Sequence, residues 1–142
     1  MTIAAILDGK GRDVVSIDAA QSVTQAASLL AERRIGAVPV MRDGAVAGIF
    51  SERDVIYCLA KDGAAALDRP VSDVMTVPAI TVTPTESVLA ALALMTQRRI
   101  RHLPVVEGGR CIGLVSIGDL VKYRIDRIEA EAEAMRSYIQ TA

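Results

Sequence analysis

The sequence predicts an α/β fold of the α+β kind: two β-α-β-β-α repeats packed on each other, followed by an extended C-terminal helix. Three observations carry this expectation. Residues 14–55 align without a gap on residues 79–120, with 13 identities in 42 positions, among them Ser22/Ser87, Arg33/Arg98, Pro39/Pro104, Gly48/Gly113, Ser51/Ser116 and Asp54/Asp119. Ordinary composition would give roughly three by chance, so the chain carries an internal duplication. Each copy reads as strand, helix, hairpin and helix. A unit of that size cannot cover both its helical stripe and its small sheet, so the copies are expected to pack on each other. The expected division is 1–70 for the first repeat with its linker and 71–142 for the second with the C-terminal helix.

Each repeat opens on a β-branched run, Val14-Val15-Ser16-Ile17 or Ile80-Thr81-Val82-Thr83, which favours a short strand. A helix follows, with apolar positions at Val23, Ala26, Ala27 and Leu30, and again at Val88, Ala91, Leu92 and Met95. This spacing places them on one buried face. Ser22 with Gln25 forms a capping-box pattern; in the second copy the repeat favours Ser87 as the cap over Thr83-Pro84. Ala37–Val40 and Ala45–Phe50 flank a turn at Asp43-Gly44, a strong hairpin signal, and Glu107-Gly108-Gly109 does the same in the second copy. A second helix is expected from about Asp54 to Ala60, with Ala64 to Pro70 as linker. From Leu120 to Ile139 the pattern is that of a long amphipathic helix, suited either to covering its own domain or to holding a second subunit.

Composition limits the function classes. Hydrophobic residues make up 51% and charged residues 23% of 142 positions, as in a globular domain. No apolar run approaches the roughly 18 residues of a membrane span, and the start MTIAAILDGKG lacks a basic region before its apolar patch. A cytoplasmic protein without a membrane partner is expected. Cys58 and Cys111 lack CxxC spacing and read as reduced, structural thiols. A net charge of -1, no Trp and a single Phe argue against nucleic acid as a partner, despite the local arginines. Catalysis is hard to assemble: His102 is the only histidine, and HExxH, Gly-Lys-Ser/Thr and GxGxxG patterns are absent. No enzyme activity, catalytic cofactor or metal site is expected.

The candidate chemistry lies at two repeated strand-to-helix corners, Gly48-Ile49-Phe50-Ser51-Glu52-Arg53-Asp54 and Gly113-Leu114-Val115-Ser116-Ile117-Gly118-Asp119. Ser-x-x-Asp is by itself a helix-capping arrangement. Yet a carboxylate at a strand end is also suited to accept hydrogen bonds from a ribose diol, and the helix amides after it can receive phosphate oxygens. A second difference between the copies is Arg101-His102 before Leu103-Pro104, where the first copy has Gly36-Ala37 before Val38-Pro39. With Arg99 nearby, these form a fair anion-binding arrangement.

These residues resemble the cystathionine beta-synthase (CBS) domain pair, or Bateman module. The resemblance covers about Val14 to Val121 and rests on Gly36-Ala37-Val38-Pro39, Arg101-His102-Leu103-Pro104 and the tandem Gly-apolar-apolar-Ser-x-x-Asp blocks. It implies two pseudo-symmetric CBS repeats packed sheet to sheet about a pseudo-two-fold, with two clefts between them, and pairing of chains into a homodimer. It also implies a regulatory ligand sensor for adenosine-containing compounds such as AMP, ADP, ATP, NAD(H) or S-adenosylmethionine, passing its state to a client protein. Family geometry would group Ser51, Arg53 and Asp54 with Ile80, Arg101 and His102 in one cleft, and Ser116, Gly118 and Asp119 with Val15, Gly36 and Ala37 in the other. On that grouping the Asp54 cleft holds the cations and is expected to prefer the more phosphorylated ligand. A protein-interaction scaffold with vestigial clefts is the alternative.

Overall fold

The computed structural model describes residues 1–141. Its elements are α1 (Ile3–Lys10), β1 (Ile17–Asp18), α2 (Val23–Arg33), β2 (Ala37–Arg42), β3 (Ala45–Ser51), α3 (Glu52–Asp62), α4 (Val88–Arg98), β4 (His102–Glu107), β5 (Arg110–Ser116) and α5 (Ile117–Thr141). Two 3-10 turns, Gly63–Asp68 and Val71–Asp73, join the halves. In the first sheet β1 runs parallel to β2, and β2 antiparallel to β3. In the second, β4 and β5 repeat the hairpin, and the place of β1 is reduced to a parallel bridge between Val82 and Val105. The hairpin turns form as their sequence requires, with left-handed φ at Asp43 and Gly44 and at Gly108 and Gly109. The lobes approach each other along β3 and β5.

The helical stripes bury as expected. Val23, Ala26 and Leu30 enter one core, and Val88, Ala91 and Met95 enter another. Ser22 and Gln25 form the reciprocal capping box, while Ser87 caps α4 by accepting from Ala90 N. Helix α3 begins at Glu52, earlier than the sequence suggested, because Ser51 is its cap. Helix α5 buries only Leu120 in its core-facing stripe; Ile125, Ile128, Met135, Tyr138 and Ile139 stay exposed.

Three local expectations change. Val14 and Val15 form no strand, because pairing with β2 starts only at Ile17. Residues 64–70 are no loose linker: Ala66 is fully buried with Val71 in the first core, and Val23 N and Val71 N donate across this junction to Arg69 and Gln21 carbonyls. The N-terminal segment, which offered no helix signal, forms α1 and places Ile3, Ile6 and Leu7 in the second core. Each lobe is thus completed by a segment that precedes or follows its repeat. Leu7 lies over Gly113 and Met75 lies over Gly48, and a Cβ on either glycine would come within 2.7 Å of that side chain. Glycine is required there because the flanking segment occupies the space of a side chain.

Candidate functional site

Both Ser-x-x-Asp corners fold through the same local rule. At the first, Ser51 ends β3 and caps α3: its Oγ accepts from Asp54 N at 3.4 Å, and Asp54 Oδ2 accepts from Ser51 N at 2.9 Å and from Ser51 Oγ at 3.1 Å. Oδ1 accepts from Thr76 Oγ1 at 2.9 Å. Thr76 is held there by a two-way backbone pairing with Ile49. Asp54 is only 8% exposed, so both its oxygens are engaged inside the protein. Arg53 and Glu52, on the first turn of α3, face outward.

At the second corner Ser116 N donates to Asp119 Oδ2 at 2.9 Å and Asp119 N donates to Ser116 Oγ at 3.1 Å. Here the third partner is a cation. Lys10, the last residue of α1, donates through Nζ to Asp119 Oδ2 at 2.6 Å and to the Leu114 carbonyl at 2.8 Å. The pair is open to solvent, with 42% of the Lys10 and 27% of the Asp119 side chain exposed. Burial pushes the Asp119 carboxyl up, but the Lys10 ammonium and the Ser116 hydrogen bonds outweigh it, so it lies below the usual carboxylate range.

The residues before the two prolines lie beside the corner of their own lobe. Ala37 pairs with Ser51 and Glu52 N donates to the Gly36 carbonyl; His102 pairs with Ser116 and Ile117 N donates to the Arg101 carbonyl. Across the lobe seam, the His102 ring lies 3.5 Å from where a Gly36 Cβ would stand, with Glu52 Oε1 at 3.6 Å. Burial lowers the His102 pKa first, and Arg101 and Lys10 lower it further against the opposing pull of Asp119 and Glu52. The imidazole is therefore neutral at pH 7.

His102 thus meets Gly36 across the seam, although the expected grouping assigned the two residues to different clefts. No side-chain hydrogen bond or ion pair among the described residues links Arg101 or His102 to Ser51, Arg53 or Asp54. Ile80 packs at the margin of the second core and Val15 at the margin of the first. Gly118, in the first turn of α5, leaves only the Ser116 hydroxyl near its missing side chain. Two residues at these corners escaped the sequence reading, Lys10 and Thr76. The 65-residue offset aligns them with Met75 and Gly11, so the repeat gives neither a like partner. Their role depends on where flanking segments return.

The CBS domain family model matches residues 11–61 and again 71–126. The chain is 36% identical over 155 aligned positions to the mitochondrial CBS domain-containing protein CBSX3 of Arabidopsis thaliana, covering 98% of this chain and 72% of that protein. A crystal structure of a CBS-domain protein from Agrobacterium tumefaciens is 43% identical, covers 87% of this chain and 92% of its own, and superposes with a TM-score of 0.83. The same fold, at 22% identity and a TM-score of 0.79 over 89% of this chain and 98% of the other, occurs in the CBS domain pair of protein MJ0100 in complex with 5-methylthioadenosine and S-adenosyl-L-methionine. No described helix is long and apolar enough to cross a membrane.

Proposed function

The chain belongs to the CBS-domain family, and from that premise we propose that it is a regulatory, non-catalytic module that binds adenosine-containing nucleotides at its Ser-x-x-Asp corners and passes the bound state to a client protein. The observation that carries this reading is the repeated corner itself: a carboxylate fixed by a capping box at a strand end, beside the amides of a helix start and at the seam between lobes. That arrangement suits a ribose diol and an adjoining phosphate. The adenosyl ligands named for the MJ0100 domain pair make AMP, ATP, NAD(H) and S-adenosylmethionine the natural candidates.

The cation count favours the Asp119 corner for phosphate, in contrast to the expectation from family geometry, since Lys10 pairs with Asp119 and Arg101 precedes the strand that pairs with Ser116, while His102 beside them offers a neutral imidazole. Asp54, with both oxygens engaged by Ser51 and Thr76, favours the scaffold reading for its own corner. Pairing of two chains is part of the proposal, supported by exposed Ile56, Tyr57, Ile125 and Ile128 on α3 and α5. A cytoplasmic location is proposed alongside it.

Thermal shift and calorimetric titration with AMP, ATP, NADH and S-adenosylmethionine test the sensor against the scaffold. Ligand at about 100 times its Kd stabilises the native state by about 2.7 kcal/mol. Saturable stabilisation by at least one of the four, weakened by Asp119→Ala, is the expected result. No stabilisation at millimolar concentration of any of them would leave the scaffold.

A further inference from the structure

The Asp119 corner holds an internal cation that the Asp54 corner lacks. At the first corner a neutral hydroxyl, Thr76, satisfies the carboxylate, and Met75, the counterpart of Lys10 by the 65-residue offset, packs over Gly48. At the second, Lys10 and the Ser116 amide both donate to Oδ2 of Asp119, while Oδ1 accepts no hydrogen bond among the described residues. An incoming ribose therefore finds one carboxylate oxygen free and the other under an ammonium. A diol engages a carboxylate best through both oxygens, so full engagement requires Lys10 to leave Oδ2. Lys10 has the means to leave: its side chain is 42% exposed and ends the short helix α1. Its other hydrogen-bond partner, the Leu114 carbonyl, carries no charge to replace the one it would give up.

Resting on the nucleotide-sensing reading above, we propose that Lys10 is the specificity-determining residue of the Asp119 corner: it exchanges the Asp119 carboxylate for a ligand phosphate, and so selects phosphorylated adenosine compounds over uncharged ones. An uncharged nucleoside must separate Lys10 from Asp119 with nothing to replace the ion pair. A nucleotide replaces it with a charge-assisted contact to phosphate, next to Arg101 and His102, whose strand pairs with Ser116. The exchange makes the affinity for nucleotides dependent on ionic strength, because both the resident pair and the new one lie near solvent.

The test titrates AMP and adenosine into the wild-type chain, Lys10→Met and Lys10→Arg, and follows the backbone amide shifts of Gly118 and Asp119, which report on this corner, and of Arg53 and Asp54, which report on the other. Wild type should prefer AMP to adenosine by about tenfold or more, a difference of about 1.4 kcal/mol. Lys10→Met, which copies the first lobe, should weaken AMP and strengthen adenosine, so that the preference collapses. Lys10→Arg should retain most of it. Equal affinities for AMP and adenosine in wild type, or a preference unchanged in Lys10→Met, overturns the proposal while leaving the sensor reading intact. Equal weakening of both ligands in Lys10→Met assigns Lys10 a structural role only and overturns it too. If neither ligand moves amides at either corner of the wild-type chain, the sensor reading fails and this inference fails with it.

Discussion

Asp54 and Asp119 are equivalent by repeat, and removing each side chain should nonetheless cost unequal amounts of stability. In Asp54→Ala, Ser51 N and Thr76 Oγ1 lose their acceptor at a corner where the carboxylate was only 8% exposed. A buried donor left without a partner costs about 1–3 kcal/mol, and two donors are affected; the loss of a first-turn charge is common to both variants, since Asp54 opens α3 as Asp119 opens α5. Some water will enter, so a total of about 3 kcal/mol is expected. In Asp119→Ala the lost partners are Ser116 N and Lys10, and Lys10 is exposed enough to return to water. An exposed ion pair is worth about 0–1 kcal/mol and the cap about 1 kcal/mol, giving a total of about 1–2 kcal/mol. The difference, about 1–2 kcal/mol, corresponds to roughly 2–8 °C in Tm for a chain of this size. Urea unfolding of both variants at pH 7, without ligand and at one fixed protein concentration, measures it. Equal losses, or a larger loss in Asp119→Ala, would refute the argument that burial rather than repeat position sets the energetic role of these carboxylates.

Three further outcomes follow from named contacts. Because the His102 pKa is lowered from 6.5 in the folded chain, the unfolded chain binds the extra proton first, so stability present above pH 6.5 should fall as pH drops below it; in His102→Gln, urea midpoints between pH 7 and 5 should lose that step. Gly48→Ala would bring a Cβ to 2.7 Å from Met75 Sδ and 2.8 Å from the Thr76 carbonyl, and should destabilise by about 1–3 kcal/mol in calorimetry. Gly113→Ala meets only the Leu7 side chain, which can turn aside, and should cost less. If Ile125 and Ile128 hold a second copy, Ile125→Glu with Ile128→Glu should convert a dimer to a monomer in light scattering without lowering helicity; a wild-type monomer at the same concentration would remove that part of the proposal.

Much of the fold was legible because it is set by interactions a few residues apart. Ser22 with Gln25, Ser51 with Asp54 and Ser116 with Asp119 are each three residues apart, and each forms the bonds its spacing suggests. The hairpin turns at Asp43-Gly44 and Gly108-Gly109 are equally local. The strand at Val14-Val15 was overestimated because β-propensity alone supplies no neighbour to pair with. The 64–70 segment looked like a linker because its few small apolar residues carry no period, although Ala66 is fully buried.

The sequence by itself determined the duplication, the two-lobe architecture and the identity of the two corner carboxylates, since a repeated pattern of caps, turns and apolar stripes specifies the same unit twice. Only the tertiary structure decided what those carboxylates face. Thr76 reaches Asp54 across 22 residues and Lys10 reaches Asp119 across 109. Both come from segments outside the repeated span, brought back by burial of Met75 or Leu7 over a glycine. Contacts at such separation depend on how whole segments pack, and local spacing carries no record of them. That is why two corners written alike in sequence differ in charge: one is closed by a hydroxyl and the other by an ammonium.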